Sequence, residues 1–287
     1  MRFPFEVVLK RKDVDGAVRR ALREDVDRGD VTTIATVGPR VRARAELRLK
    51  SDGVVAGLAV FAAAFKIKDR GVKVRFAGRE GGRYRAGRVL ANVEGRARSM
   101  LTCERVALNF IQRLSGIATH TRRFVDEVRG TGVKIVDTRK TTPGLRLLEK
   151  YAVLAGGGFN HRLSLSDLAL IKDNHIKAAG GIAEAVARMR ASGARVPVEI
   201  EVGPEVHLED LRGVRVDVIM LDNWPLRRLK YGIEIVRTFP ARPVIEVSGG
   251  ITLKNVGRIA RCGPDVISIG ELTHSAPSLD LSLDFKG

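Results

Sequence analysis

Between Val133 and His175 the chain reads VKIVDTRKTTPGLRLLEKYAVLAGGGFNHRLSLSDLALIKDNH, and three short segments within it run straight into cations. Val133 to Val136 leads into Asp137, Thr138, Arg139 and Lys140; Gly156 to Asn160 leads into His161 and Arg162; Leu168 to Ile171 leads into Lys172 and Asp173. Strands of a parallel α/β sheet or barrel deliver the residues at their carboxyl ends to one rim, so cations placed there converge although they are distant in sequence. A convergent set of Arg139, Lys140, His161, Arg162 and Lys172 suits a strongly anionic small molecule. One guanidinium gives a carboxylate two parallel charge-assisted hydrogen bonds, so a ligand with two carboxylates would engage several of these groups and be fixed in orientation. Taken singly, each cation is as readily a solvated loop charge.

Later strands end on other chemistry. Glu201 in VEIEV and Asp222 in VIMLDN are carboxylates inside apolar strands, an expensive placement unless the group is paired or bound to a cation. Mg2+ or ribose hydroxyls would satisfy them, and a salt bridge to a neighbouring strand-end cation is the plain alternative. Period-two alternation leaves open which of Glu199 and Glu201 faces the site. VSGGITLKN and ISIGEL have the form of phosphate grips: Ser248, Gly249 and Gly250 leave backbone N–H groups open, and Thr252 is placed to cap the helix after it. Tight turns also use glycine for conformation alone. His207 and His274 have no partner at metal spacing, while His120 and His175 adjoin the cationic segments. No nucleophile elbow, dinucleotide fingerprint or Walker loop is present.

The elements that must position these residues can be read from periodicity. Residues 13–25 carry apolar positions at helical spacing with Asp13 as a cap; Arg40 to Lys50 alternates like a strand with one solvated face; Val54 to Phe65 reads as a buried helix; Val72 to Phe76 and Arg88 to Glu94 read as strands. Ser99 to Arg123 is a long helix linking the front segment to the next domain. Beyond Gly132, VKIVD, LALIKD, VPVEIEV, VDVIMLD, PVIEVSGG and DVISIGE are strands, with a seventh near Gly156 to Asn160. Helices are predicted over Gly144 to Leu154, Ile182 to Ser192, Leu226 to Thr238 and Leu253 to Cys262, and the alternating tail SLDLSLDF returns to the front sheet. Strand and helix alternating in this way argue for parallel βα units in a barrel or a doubly wound sheet.

Composition narrows the function classes. With 51 Lys+Arg against 33 Asp+Glu the formal net charge is +18, which admits nucleic acid, anionic membrane or anionic small molecules. Aromatics make up only 5% and do not interleave with basic runs, so a nucleic-acid role is not expected. The longest apolar run, Val54 to Phe65, falls short of a membrane span. Cys103 and Cys262 form no CxxC pair, and MRFPFEVVLKRKDVDG lacks the layout of a signal peptide; a cytoplasmic location is expected.

DTRKTTPGLR at Asp137 to Arg146, EKYAV at Glu149 to Val153, GGGFNHR at Gly156 to Arg162, LIKDNH at Leu170 to His175, MLDN at Met220 to Asn223 and EVSGGI at Glu246 to Ile251 together resemble the quinolinate phosphoribosyltransferase family. EDVDRGDVTT, ERVALNFIQRLSGIAT and LTHSAPSLDLSL extend the resemblance over almost the whole chain. It implies an N-terminal α/β sandwich over 1–115, rejoined by 273–287, and a seven-stranded α/β barrel over 116–272 carrying the site. It implies a homodimer or an assembly of dimers, with quinolinate and phosphoribosyl pyrophosphate converted to nicotinate mononucleotide, pyrophosphate and CO2 in the presence of Mg2+. By resemblance, Thr138, Arg139, His161, Arg162 and Lys172 would hold the quinolinate carboxylates, Lys140 would lie between the substrates, and Arg105 would reach the neighbouring subunit's site. Glu201 and Asp222 would address the ribose and Mg2+, and Ser248, Gly249, Gly250, Ile269, Gly270 and Glu271 would bind phosphate. Ser164 and Glu271 depart from the residues usual at their places.

Overall fold

A computed structural model describes residues 3–286. In chain order the elements are α1 (Arg11–Val26), α2 (Val31–Thr36), β1 (Arg42–Leu49), β2 (Gly53–Val54), α3 (Leu58–Lys68), β3 (Lys73–Phe76), β4 (Arg83–Tyr84), β5 (Val89–Arg96) and α4 (Ala97–Glu127). They continue with β6 (Lys134–Val136), α5 (Arg146–Ala155), β7 (Ala169–Ile171), α6 (Asp173–Ala179), α7 (Ile182–Ala191), β8 (Val198–Val202), β9 (Val218–Asp222), α8 (Leu226–Arg237), β10 (Val244–Ser248), α9 (Val256–Ala260), β11 (Val266–Ser268), α10 (Glu271–His274) and β12 (Leu281–Lys286). Two units interleave along the chain: 7–122, 141–157 and 272–286 in one, 3–6, 123–140 and 158–271 in the other.

In the first unit an antiparallel sheet runs β12–β1–β5–β3, the tail strand pairing with β1 from Arg44↔Lys286 to Leu49↔Leu281. Alternation sends Ala45, Leu47, Leu49, Leu281 and Leu283 into the core. Arg48, Glu46, Lys286 and Asp284 ion-pair on the other face, so these basic residues are a solvated strand surface. Asp13 is not the first residue's cap: Lys10 holds that place, and Asp13 Oδ2 accepts the Lys10 N–H from the third helical position at 3.3 Å. Nor is Val54 to Phe65 one helix. The chain turns at Gly57 from β2 into α3, and Glu80 caps that helix from a distance by accepting the Gly57 and Leu58 N–H groups at 3.0 and 2.7 Å. Burial raises the Glu80 pKa.

Helix α4 carries Gly116 where the tail crosses it, and a Cβ there would collide with the Pro277 carbonyl and Ser278 Cα. Alanine has the better helix propensity, yet overpacking against backbone dominates: Gly116→Ala should destabilise by about 1–3 kcal/mol. Urea denaturation reads this directly, and an unshifted midpoint would show that the tail yields.

The second unit holds six parallel strands in the order β6–β11–β10–β9–β8–β7. They are buried on both faces, as parallel sheets are, and polar side chains surface at their carboxyl ends. The expected seventh strand is reduced to a bridge. Phe159 pairs with Val136 in parallel, but the backbone of Asn160 is taken by Phe5, with Phe5 N–H donating to Asn160 O at 2.7 Å and Asn160 N–H donating to Phe5 O at 3.0 Å. Helix α9 is shorter than the predicted span, and Thr252 does not cap it by its hydroxyl. Instead the Thr252 N–H donates to Asn255 Oδ1 at 2.8 Å.

Candidate functional site

The carboxyl ends of the parallel strands present the expected cations. Arg139 and Lys140 leave β6 exposed, and Thr138 Oγ1 accepts the Lys140 N–H at 3.1 Å. Arg162 follows the Phe159 bridge and is buried, its Nη1 donating to Leu168 O at 2.9 Å. Burial first, and then the charge of Arg139, hold the Arg162 pKa below the ordinary guanidinium value, while Glu199, Asp167 and Glu201 act the other way. Arg139, Arg162 and Glu201 therefore share one electrostatic environment. Lys172 follows β7 and donates from Nζ to Glu201 Oε2. The salt-bridge alternative for Glu201 is thus realised.

Two positions resolve what alternation left open. The expected choice of face between Glu199 and Glu201 does not arise: two residues apart on β8, they share a face and differ in depth. Glu201 stands nearer the rim, its side chain 19% exposed, whereas Glu199 is fully buried. His161 Nε2 lies 3.1 Å from Glu199 Oε2 and 3.5 Å from Glu246 Oε2. These three side chains are the one trio of metal-capable groups among the described residues. Sequence reasoning missed Glu246 entirely, since a lone glutamate in PVIEVSGG is silent without the cross-strand register. It also missed Asp137, which is fully buried and ties the end of β6 to the bridge by accepting from His161 N–H at 2.9 Å and from Asn160 Nδ2 at 2.6 Å.

His161 Nδ1 accepts the Arg162 N–H at 2.8 Å, so in its neutral form the ring carries its proton on Nε2, between the two glutamates. Burial opposes charge on the ring, but the pull of Glu246 and Glu199 carries its pKa up to about 10. Burial and Glu246 raise Glu199 to about 7. Both shifts are upward, so the group stabilises the fold most below its unfolded pKa values of 4.5 and 6.5. That stability is lost as pH rises through about 7 and then about 10. Glu199→Gln should flatten the fall of stability between these limits, as chemical denaturation at stepped pH would show; a curve parallel to wild type would remove the group from the linkage.

The carboxylate and turn residues of the later strands also gather in this unit. Asp222 ends β9 opposite Ser248 at the end of β10, and Gly249 and Gly250 come next with φ of 85° and 61°. Ile269 N–H donates to Val136 O at 3.0 Å, and Glu271 opens α10. Arg105 lies on α4 in the other unit and is exposed. His175 caps α6, its Nδ1 accepting the Lys172 N–H at 3.0 Å, and His274 Nδ1 contacts Ser275 Oγ. Ser164 sits in a turn held by Asp167 Oδ2, which accepts the N–H groups of Leu163 and Ser164 at 2.9 and 2.7 Å.

Comparisons with known proteins agree along the chain. Residues 30–115 match the family description "Quinolinate phosphoribosyl transferase, N-terminal domain", and residues 117–284 match its C-terminal domain. The chain is 44% identical over 262 residues to the probable nicotinate-nucleotide pyrophosphorylase (carboxylating) of Bacillus subtilis strain 168, covering 91% of this chain and 89% of that protein. It is 41% identical over 273 residues to the nicotinate-nucleotide pyrophosphorylase (carboxylating) of Mycobacterium leprae, covering 93% and 95%. The crystal structure of NadC from Streptococcus pyogenes superposes with a TM-score of 0.92 at 42% identity, over 98% of each chain.

Proposed function

From the premise that this chain belongs to the quinolinate phosphoribosyltransferase family, we propose how its residues divide the work of that reaction. The enzyme transfers the phosphoribosyl group of phosphoribosyl pyrophosphate to quinolinate with decarboxylation, giving nicotinate mononucleotide, pyrophosphate and CO2 for NAD synthesis. The observation that carries the assignment of roles is the shared environment of Arg139, Arg162 and Glu201, with Lys172 bonded to Glu201. Several cations for one acceptor suit two carboxylates; a monoacid such as nicotinate would leave charge unpaired.

In this reading Arg139 and Arg162 grip the acceptor carboxylates, assisted by Thr138 and Lys172, and His161 supports Arg162 through its main chain. Lys140 lies between the two substrates. The pyridine nitrogen forms its bond to the ribosyl anomeric carbon as the bond to pyrophosphate breaks, and Glu201 and Asp222 stabilise the positive charge that develops on the sugar. The carbon–carbon bond to the carboxylate beside the nitrogen then breaks, CO2 leaves, and the electron pair left on that carbon takes up a proton. The new pyridinium and the cations around it favour that step. Ser248 to Gly250 and Ile269 to Glu271 hold phosphate, chiefly through main-chain N–H groups.

Glu201 and Asp222 offer hard oxygen donors at neighbouring strand ends, which fits Mg2+ shared with a diphosphate. Bound there, the ion would neutralise charge on the leaving pyrophosphate. The reading includes a homodimer in which Arg105 completes the partner's site, supported by its exposure on α4. Mixing Arg105→Ala with Arg139→Ala subunits should then restore part of the activity that each lacks alone. A cytoplasmic location accords with the two unpaired cysteines, and no helix of the described residues is long and apolar enough to cross a membrane.

The test is an assay with quinolinate, phosphoribosyl pyrophosphate and Mg2+, following nicotinate mononucleotide by absorbance and labelled CO2, with nicotinate as a parallel acceptor. Product from quinolinate alone is expected. Turnover of nicotinate alone would keep the ribosyl half of the reading and overturn the acceptor.

A further inference from the structure

Asn223 comes directly after Asp222, at the rim of the second unit. It is one of two non-glycine residues with positive φ among those described, at 56°, a left-handed conformation that asparagine tolerates better than most residues. Three contacts use that turn. Its N–H donates to Ser248 O at 2.9 Å, extending the β9–β10 pairing one step beyond the strands. Its Nδ2 donates to Asp222 Oδ2 at 2.7 Å. Its carboxamide also occupies the space beside Gly249, where a Cβ would collide with the Asn223 side chain.

The chemistry fixes which way the amide points. A carboxylate only accepts, so the NH2 end must face Asp222 and the carbonyl end must face Gly249. One side chain thus spans a strand-end carboxylate and the first glycine of the SGG turn. A residue with ordinary φ would swing its side chain away from both, and a larger one would displace the turn.

We propose that Asn223 is a positioning residue that sets the Asp222 carboxylate and the Ser248–Gly250 turn in register, so that ribose, metal and phosphate are gripped as one unit. This inference rests on the proposed reading of Asp222 and the turn as the phosphoribosyl pyrophosphate side of the site. It predicts a selective defect. Losing a hydrogen bond to a charged group at the donor side should weaken phosphoribosyl pyrophosphate, not quinolinate.

Asn223→Gly isolates the side chain, because glycine keeps the positive φ. Its KM for phosphoribosyl pyrophosphate should rise about tenfold or more, with the quinolinate KM within about twofold of wild type. Combined with Asp222→Ala, the glycine substitution should add little, since it acts through the carboxylate already removed. Equal shifts in both KM values, no shift, or full additivity would overturn the proposal. Should Asn223→Gly fail to fold, Asn223→Asp keeps the volume and tolerates the backbone but sets an acceptor against Asp222, and it must show the same selectivity. Calorimetric binding of phosphoribosyl pyrophosphate with Mg2+ runs alongside. If wild type bound it yet did not turn over quinolinate, the functional reading would fall while the ratio of affinities still judged Asn223.

Discussion

Arg162→Ala should raise the quinolinate KM by about 100-fold or more and leave the KM for phosphoribosyl pyrophosphate within about threefold. The size reflects what the guanidinium does in a buried place. Nη1 is committed to Leu168 O, which holds the planar group still and leaves its other donors to pair with a carboxylate. Two charge-assisted bonds of about 1.5–3 kcal/mol each, with order already fixed before binding, make up a loss of that magnitude. Burial and the neighbouring charge of Arg139 make Arg162 an unfavourable place for a cation. An arriving dianion relieves that repulsion, adding to the effect. Arg162→Lys keeps the charge but not the fork, so it should fall between wild type and alanine. Steady-state kinetics with each substrate varied in turn would decide: an unchanged quinolinate KM in Arg162→Ala takes Arg162 out of the acceptor site.

Why Arg162 was legible in the sequence, and its supports were not, has a physical origin. Short apolar runs recurring between helical stretches mark strands wherever βα units repeat, and six strands of the second unit were readable on that basis, two of them running on into cations. The seventh was not, because whether Phe159 and Asn160 extend a strand depends on Phe5, which competes for the same backbone groups from far away in sequence. Depth along a strand is equally silent. Alternation assigns Glu199 and Glu201 to one face, but only the height at which β8 meets its neighbours sends one to His161 in the interior and the other to Lys172 near the rim. Capping shows the same limit: α3 takes its cap from Glu80, which lies beyond the helix rather than before it. The Asp222–Asn223 contact was written in MLDN, yet its meaning waited on the positive φ at Asn223.

Glu149→Ala should destabilise the first unit by about 3–5 kcal/mol, the range for breaking one side of a buried ion pair. Glu149 is fully buried on α5, and Arg113 on α4 meets it with Nε at 3.0 Å and Nη2 at 2.9 Å. The same carboxylate accepts from Thr142 twice, the hydroxyl at 2.7 Å and the N–H at 3.1 Å, and so fixes the loop that begins just after Lys140. Arg113 carries the link onward to the carbonyls of Ala276 and Thr273 in the tail. Alanine would leave the Arg113 charge without its counter-charge and the Thr142 N–H without its acceptor. Glutamine is a sharper probe: with one oxygen and one NH2 it cannot satisfy both the guanidinium and the Thr142 amide, so Glu149→Gln should retain part of the loss. Guanidinium or urea denaturation measures both. The pairing itself is tested by Arg113→Met with Glu149→Leu, which removes both charges at similar volume. Recovery of most of the lost stability in that double variant is expected. A double variant as unstable as Glu149→Ala would assign the effect to Thr142 and the loop instead of to the ion pair, and a wild-type midpoint for Glu149→Ala would show that neither contact supports the fold.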